Sequence, residues 1–115
     1  MRRLRGPFKR RDRITGMSEV YLKISRHGRD TLVAVCDAEL LGKTLDGGRV
    51  PFNVSEAFYK GITGDVEEAL EAMRRATICN LVGKRIVEAA IRSNMVHERA
   101  VIYLGDIPHA QIVRV

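Results

Sequence analysis

The sequence predicts an α+β fold: a two-layer sandwich in which a mainly antiparallel sheet carries two main helices on one face. Runs typical of strands and runs typical of helices occupy separate parts of the chain, and this segregation favours α+β folds over doubly wound sheets. The 115 residues are about one domain in length. We therefore expect a single α+β domain over residues 19–115, preceded by a basic N-terminal arm over residues 1–18.

Short runs that are alternating or β-branched indicate the strands. The first two are expected to form a hairpin with Gly28 in its turn, and Pro51 places the third at an edge or a strand start. A turn at Gly105 separates the last two. The predicted strands are Val20–Ser25, Thr31–Cys36, Val50–Val54, Ala100–Leu104 and Ile107–Val115.

Two short and two longer helices are predicted. Asp37 is expected to cap a single helical turn, and Ser55 is expected to cap a brief helix through Tyr59. Asp65 begins an Asp-x-x-Glu capping box, which is the strongest helix signal in the chain. Apolar residues at helical spacing then predict two longer helices with a break near Thr77. The two sets are Val66, Ala69, Leu70 and Met73, and then Ile78, Leu81, Val82, Ile86, Ala89 and Ala90.

The net charge of +6 resides in the first eighteen residues. This arm contains one acid, Asp12, and seven basic residues, and it has neither a strand nor a helix period. Residues 19–115 carry thirteen basic and thirteen acidic side chains, so their charges sum to zero. A basic arm on a neutral body indicates a polyanionic partner. The basic residues of the arm are Arg2, Arg3, Arg5, Lys9, Arg10, Arg11 and Arg13.

Cys36 and Cys79 lack the spacing of zinc or redox motifs. We interpret them as buried thiols in a reducing cytosol, with a native disulfide as the alternative. The N-terminus has no apolar run typical of a signal peptide, and no stretch has the length of a membrane span. The sequence therefore predicts a cytoplasmic protein without membrane association.

The stretch Gly42-Lys43-Thr44 resembles the end of a phosphate-binding loop. The glycine that this motif needs five residues earlier is replaced by Asp37, and a carboxylate there would repel phosphate. We therefore interpret the stretch as a helix end followed by a loop. The three histidines are not spaced for metal binding, so neither a metal nor a cofactor is expected.

Several polar residues have both a structural and a functional interpretation. Glu56 and Tyr59 share one short helical turn, where they could bind a ligand or where Tyr59 could simply pack on the sheet. Asn80 interrupts an apolar patch, so it is either a structural hydrogen-bonding residue or part of a pocket. His109 follows Pro108 at the start of a strand, and either a hydrogen-bonded structural role or a site role fits this position.

Five stretches are specific in combination: Tyr21–Ile24, Cys36–Thr44, Val54–Tyr59, Ala76–Gly83 and Ile107–Arg114. Together they resemble the archaeal family of domains of unknown function numbered 424, across about residues 19–115. The resemblance implies a small archaeal cytoplasmic protein with a two-layer α/β domain, and it implies no activity, cofactor or catalytic residue. The family begins near the first strand, so the arm departs from its pattern. The resemblance singles out five candidate binding residues: Lys43, Glu56, Tyr59, Asn80 and His109.

We expect a binding module for RNA or a ribonucleoprotein, in which the arm contacts phosphates and Phe8 stacks on a base. The sequence has no catalytic motif and no credible nucleophile–base pair, so a binding role is favoured over an enzymatic one. One alternative is a homodimeric interaction domain. The other is a small enzyme with a pocket built from His109, Asn80, Glu56 and Tyr59.

The last predicted strand suggests assembly. Ala110 and Ile112 point to one side of it, and Val113 and Val115 point to the other. A terminal strand with apolar groups on both sides is an edge that invites pairing. We therefore expect a homodimer or a docked partner on the face opposite the helices, unless the arm or the loop 46–51 covers it.

Overall fold

The structure, a computed structural model, describes residues 19–114. The predicted arm, residues 1–18, lies outside this range, as does Val115. The strands are β1 (Val20–His27), β2 (Asp30–Asp37), β3 (Thr44–Leu45), β4 (Phe52–Asn53), β5 (Ile62–Gly64), β6 (Ile78–Val82), β7 (Ile102–Leu104) and β8 (Ile107–Val113). The helices are α1 (Glu56–Tyr59), α2 (Val66–Arg74) and α3 (Lys84–Arg92), and 3-10 turns cover Ala38–Leu40 and Glu98–Ala100.

Six strands form one mostly antiparallel sheet in the order β5-β1-β2-β6-β8-β7. Among these strands only β2 and β6 pair in parallel, with Val33 opposite Cys79. β1 and β2 form the predicted hairpin, and its turn places Gly28 at a φ of 62°, which glycine adopts without a steric penalty. The α+β class and the mainly antiparallel sheet are confirmed.

Helices α2 and α3 pack on one face of the sheet and enclose the main core. α2 begins with the predicted capping box, in which Asp65 Oδ1 accepts the Glu68 amide at 2.8 Å and Glu68 Oε1 accepts the Asp65 amide at 2.8 Å. Removal of apolar side chains from water is the main stabilising contribution in such a core. The larger buried members are Val20, Leu22, Val33, Val35, Leu70, Met73, Leu81, Ile86 and Val87.

One predicted element is wrong, because Ile78–Val82 is strand β6 and not the start of the second helix. Cys79 and Leu81 face the helices, whereas Val82 belongs to the apolar cluster on the opposite face. An apolar run of this length suits a buried central strand, and its spacing also fits a helix. Gly83, at a φ of 123°, separates the strand from α3.

The opposite face of the sheet is partly covered by residues 38–61, which we call the cover segment. It contains the first 3-10 turn, the β3–β4 pair and α1. Its residues Leu40, Val54 and Tyr59 are buried in one cluster with Cys36 and Val82. Only β4 remains of the strand predicted over residues 50–54. The cover is therefore wider than the loop 46–51 alone.

Strand β8 is interior along its first half, so the expectation of a terminal edge strand holds only for its second half, residues 110–113. Residues 107–109 pair with β7 on one side, and residues 109–113 pair with β6 on the other. Ala110 is buried in the core under the helices, and Val113 is 66% exposed on the opposite face. None of the helices in residues 19–114 has the length and apolar character that crossing a membrane requires.

Candidate functional site

Three of the five candidate residues meet between the sheet and the cover segment. The Tyr59 hydroxyl, at the end of α1, donates to Asn80 Oδ1 at 2.6 Å. His109 Nε2, on β8, lies 3.2 Å from the same oxygen. We call Tyr59, Asn80 and His109 the polar cluster. It joins the cover segment to two adjacent central strands.

Hydrogen-bond chemistry fixes the proton on His109. An amide oxygen only accepts, so Nε2 donates to Asn80 and Nδ1 remains an acceptor. Burial lowers the pKa of His109, which favours this neutral ring. Burial also raises the pKa of Tyr59 above its ordinary value, so its hydroxyl stays a donor. Both donors are satisfied by the one oxygen of Asn80.

The polar cluster is enclosed rather than presented to solvent. Tyr59 is 2% exposed and His109 is 9% exposed, while Asn80 is half-buried. The ring of Phe52, on β4, lies over His109 with the ring centroids 5.2 Å apart. Because buried polar groups must find partners, these contacts determine where the cover segment sits. The arrangement supports the structural interpretation of Asn80 and His109.

The other two candidate residues stay outside this cluster. Glu56 is exposed on the first turn of α1, and no hydrogen bond described for residues 19–114 joins its carboxylate to the cluster. Lys43 is also exposed, and its backbone accepts the Val54 amide at 2.8 Å. The pocket proposed for an enzyme thus has three of its four residues together, and Glu56 apart.

Asp37 is a residue whose role the sequence did not predict correctly. Its side chain does not cap the 3-10 turn that follows it, which corrects that expectation. Its two oxygens instead accept the amides of Arg85 at 2.8 Å and Ile86 at 3.0 Å. These are the second and third residues of α3, so a buried carboxylate satisfies the start of a helix 48 and 49 residues away.

The geometry around Asp37 also explains Gly83. A Cβ at Gly83 would overlap the Asp37 carboxylate, and the φ of 123° is unfavourable for other residues. Burial raises the pKa of the Asp37 carboxyl, and the amides of Arg85 and Ile86 lower it by a smaller amount. The position that a bound anion would take at this helix start is filled by the protein's own side chain.

Glu19 is the first described residue, so its surroundings mark where the arm joins the body. Arg85 Nη1 donates to the Glu19 carbonyl at 3.0 Å and to Glu39 Oε1 at 3.1 Å. The pKa of the Glu39 carboxyl is lowered by its own backbone amide and by the side chains of Arg85 and Lys43. Lys84 is exposed beside Arg85. The basic side chain of Arg85 therefore lies next to the residue at which the arm joins the body.

A shallow groove of about 540 Å³ lies on the helical face, away from the polar cluster. Ile24 and Val33 of the sheet and Ala72 of α2 form its apolar floor. Arg75 and Glu71 at its rim are 3.9 Å apart. Within residues 19–114, no three side chains of His, Cys, Asp or Glu are grouped in a way that could hold a metal ion.

Fold and site together define a two-layer α+β domain with an enclosed polar cluster. A family model described as a protein of unknown function (DUF424) matches residues 24–115, and the chain belongs to this family. It is similar to the crystal structure of an uncharacterized conserved protein from Methanopyrus kandleri, an archaeon, with 26% sequence identity and a TM-score of 0.72. The similarity covers 84% of this chain and 93% of that chain. No curated protein matches this chain.

These comparisons confirm the resemblance inferred from the sequence motifs. The matched range begins at Ile24, so the arm lies outside it. The candidate residues Lys43, Glu56, Tyr59, Asn80 and His109 all lie within it. The candidate residues therefore belong to the part of the chain that the family model matches, and the basic residues of the arm do not.

Proposed function

We propose that the protein is an RNA-binding module that contacts the phosphate backbone through its N-terminal arm. The observation that carries this proposal is the charge distribution, since the arm sums to +6 and residues 19–115 sum to zero. Phosphate contacts by Lys and Arg supply most of the affinity in non-specific nucleic-acid binding. Phe8 adds an aromatic ring on which a base can stack.

The body contributes a second, smaller contact surface beside the arm. Lys43 and Lys84 are both exposed. Lys43 is near enough to Glu39 to lower the pKa of its carboxyl, and Lys84 precedes Arg85, which contacts Glu39 and the carbonyl of Glu19, where the arm joins the body. An RNA strand bound by the arm would also contact these two lysines where it extends beyond the arm. The polar cluster has an indirect part, because it holds the cover segment, and with it Lys43, against the sheet.

A cytoplasmic location belongs to the same proposal. Cys36 and Cys79 are both buried and unpaired, and reduced thiols of this kind are typical of reducing compartments.

The test compares full-length variants in fluorescence anisotropy titrations with a labelled single-stranded RNA of mixed sequence. One variant has all seven basic residues of the arm replaced by glutamine, and the other has the same arm residues in permuted order. The neutral arm is expected to weaken binding at least about 100-fold at 50 mM salt. The permuted arm is expected to bind like the wild type, because phosphate contacts depend on charge and not on order.

Equal affinities of the wild type and the neutral-arm variant would contradict the proposal. Lys43→Gln tests the smaller surface, and Arg75→Gln is its matched control. Arg75 is exposed directly after the C-terminal end of α2. Its replacement therefore removes the same charge at a position distant from Glu19. Lys43→Gln is expected to weaken binding about 2- to 5-fold and Arg75→Gln to leave it unchanged. Equal effects would show that Lys43 acts only through net charge.

A further inference from the structure

Within residues 19–114, the second half of β8 has backbone groups that no neighbouring strand satisfies. Residues in a strand alternate in the side to which their N–H and C=O groups point. Arg114 donates its amide to the Thr77 carbonyl at 2.7 Å, and Gly83 donates to the Pro108 carbonyl at 2.9 Å. The even-numbered residues of β8 therefore point to the β6 side, and Gln111 and Val113 point away from it.

On that outer side, β7 pairs only with residues 107–109 of β8. Among residues 19–114, no backbone hydrogen bond uses the outward amides or carbonyls of Gln111 and Val113. Both side chains are exposed. Two donors and two acceptors thus stand in a row at this edge of the sheet.

This edge also lacks the charged residues that usually protect an exposed strand. Proteins commonly place Lys, Arg or Pro at such edges to prevent pairing with another chain. Ala110–Val113 contains none of them. The next residue, Arg114, directs its side chain away from this edge, because its Nη1 donates to the carbonyls of Met73 at 2.9 Å and Ala76 at 2.6 Å.

Apolar side chains border the unprotected edge on the face opposite the helices. Val113 is 66% exposed and Ile102, across from His109, is 56% exposed. Ile78 is half-buried next to Val113. A polar strand that paired with this edge would leave these apolar side chains exposed to water. A strand of the same Ala-Gln-Ile-Val sequence would bury part of their surface.

We propose that β8 pairs antiparallel with β8 of a second copy, about a two-fold axis at Ile112. Gln111 then lies opposite Val113 of the second copy, and Val113 lies opposite its Gln111. Each of these two pairs exchanges two backbone hydrogen bonds, so all four outward groups of each copy are used. A two-fold interface must be complementary to itself, and this register meets that condition.

The charge of the body permits such an approach. Residues 19–115 sum to zero, so two bodies do not repel each other at long range. A dimer carries two arms, one from each copy. The pairing stands independently of the RNA-binding proposal, because none of its residues belongs to the arm or to the surface around Lys43.

Sedimentation velocity of the full-length protein from 5 to 200 µM, in 0.3 M NaCl without RNA, measures the association. The wild type is expected to shift from monomer to dimer over this range. Val113→Lys is expected to weaken the dimer at least about tenfold, because it places like charges beside the pairing edge. The matched control is Ile62→Lys, which changes a side chain that is 64% exposed on β5, the opposite edge of the same sheet.

Hydrogen exchange of the Gln111 and Val113 amides identifies the interface directly. Their protection is expected to increase with protein concentration in the wild type and in Ile62→Lys, and not in Val113→Lys. A monomer at 200 µM would overturn the proposal. Dissociation by Ile62→Lys but not by Val113→Lys would do so as well. Protection of both amides independent of concentration would show that the chain covers this edge itself.

Discussion

Replacing Asp37 with alanine is expected to lower the free energy of unfolding by about 3 kcal/mol. The side chain is 3% exposed and accepts two amide hydrogen bonds from the first turn of α3. Hydrogen bonds to a charged group contribute roughly 1.5–3 kcal/mol each, and therefore roughly 3–6 kcal/mol together. Burial of the carboxyl, which raises its pKa, offsets part of this gain. A loss of this size is a large share of the stability of a small domain.

Urea unfolding of the full-length protein at pH 7, followed by circular dichroism, measures this loss. Asp37→Asn keeps one acceptor oxygen and is expected to cost roughly half as much. Glu39→Ala is the control, because Glu39 also contacts Arg85 but its side chain is 57% exposed, and such a pair contributes only about 0.5 kcal/mol. A cost below about 1 kcal/mol for Asp37→Ala would refute the role of the carboxylate in holding α3.

Three further substitutions test the contacts made by Gly83, Tyr59 and His109. Gly83→Ala is expected to cost at least about 2 kcal/mol in urea unfolding, because of its positive φ and the overlap with Asp37; a neutral substitution would contradict the packing described. Tyr59→Phe is expected to cost roughly 1–2 kcal/mol, since Asn80 loses one of two donors; no change in unfolding would mean that this bond does not hold the cover segment. The pKa of His109 is lowered by burial, so the unfolded state binds its proton more readily and stability falls as the pH drops below about 6.5. Between pH 7 and pH 5 the wild type should therefore lose more stability than His109→Gln, and equal losses would count against a neutral His109.

Local signals in the sequence sufficed for the hairpin and for α2. The β-branched run ending at Cys36 and the capping box at Asp65 each determine structure within a few residues of themselves. Ile78–Val82 was assigned to the wrong element because short apolar runs fit both periods. Its place between β2 and β8 depends on residues 45 or more positions earlier and about 30 later. Tertiary pairing of this kind has no local signature.

The candidate site likewise combines residues that the sequence identifies with contacts that only the tertiary fold determines. Tyr59, Asn80 and His109 were singled out individually, but their meeting depends on α1, β6 and β8 packing together, which spacing along the chain does not encode. The sequence predicts that Asp37 caps the turn beside it, whereas its carboxylate accepts amides at the start of α3. A buried acid directly after an apolar strand was the available signal, since such a carboxylate needs donors from elsewhere in the fold.

The salt dependence of RNA binding by the unmodified chain tests the central claim most directly. Each phosphate neutralised contributes roughly −0.7 to −0.9 to the slope of log affinity against log salt concentration. If most of the seven basic residues of the arm engage, anisotropy titrations from 50 to 300 mM salt should give a slope of about −5 to −6. A slope near zero would contradict the account, because binding would then not involve the charges of the arm. No binding at 50 mM salt would contradict it as well.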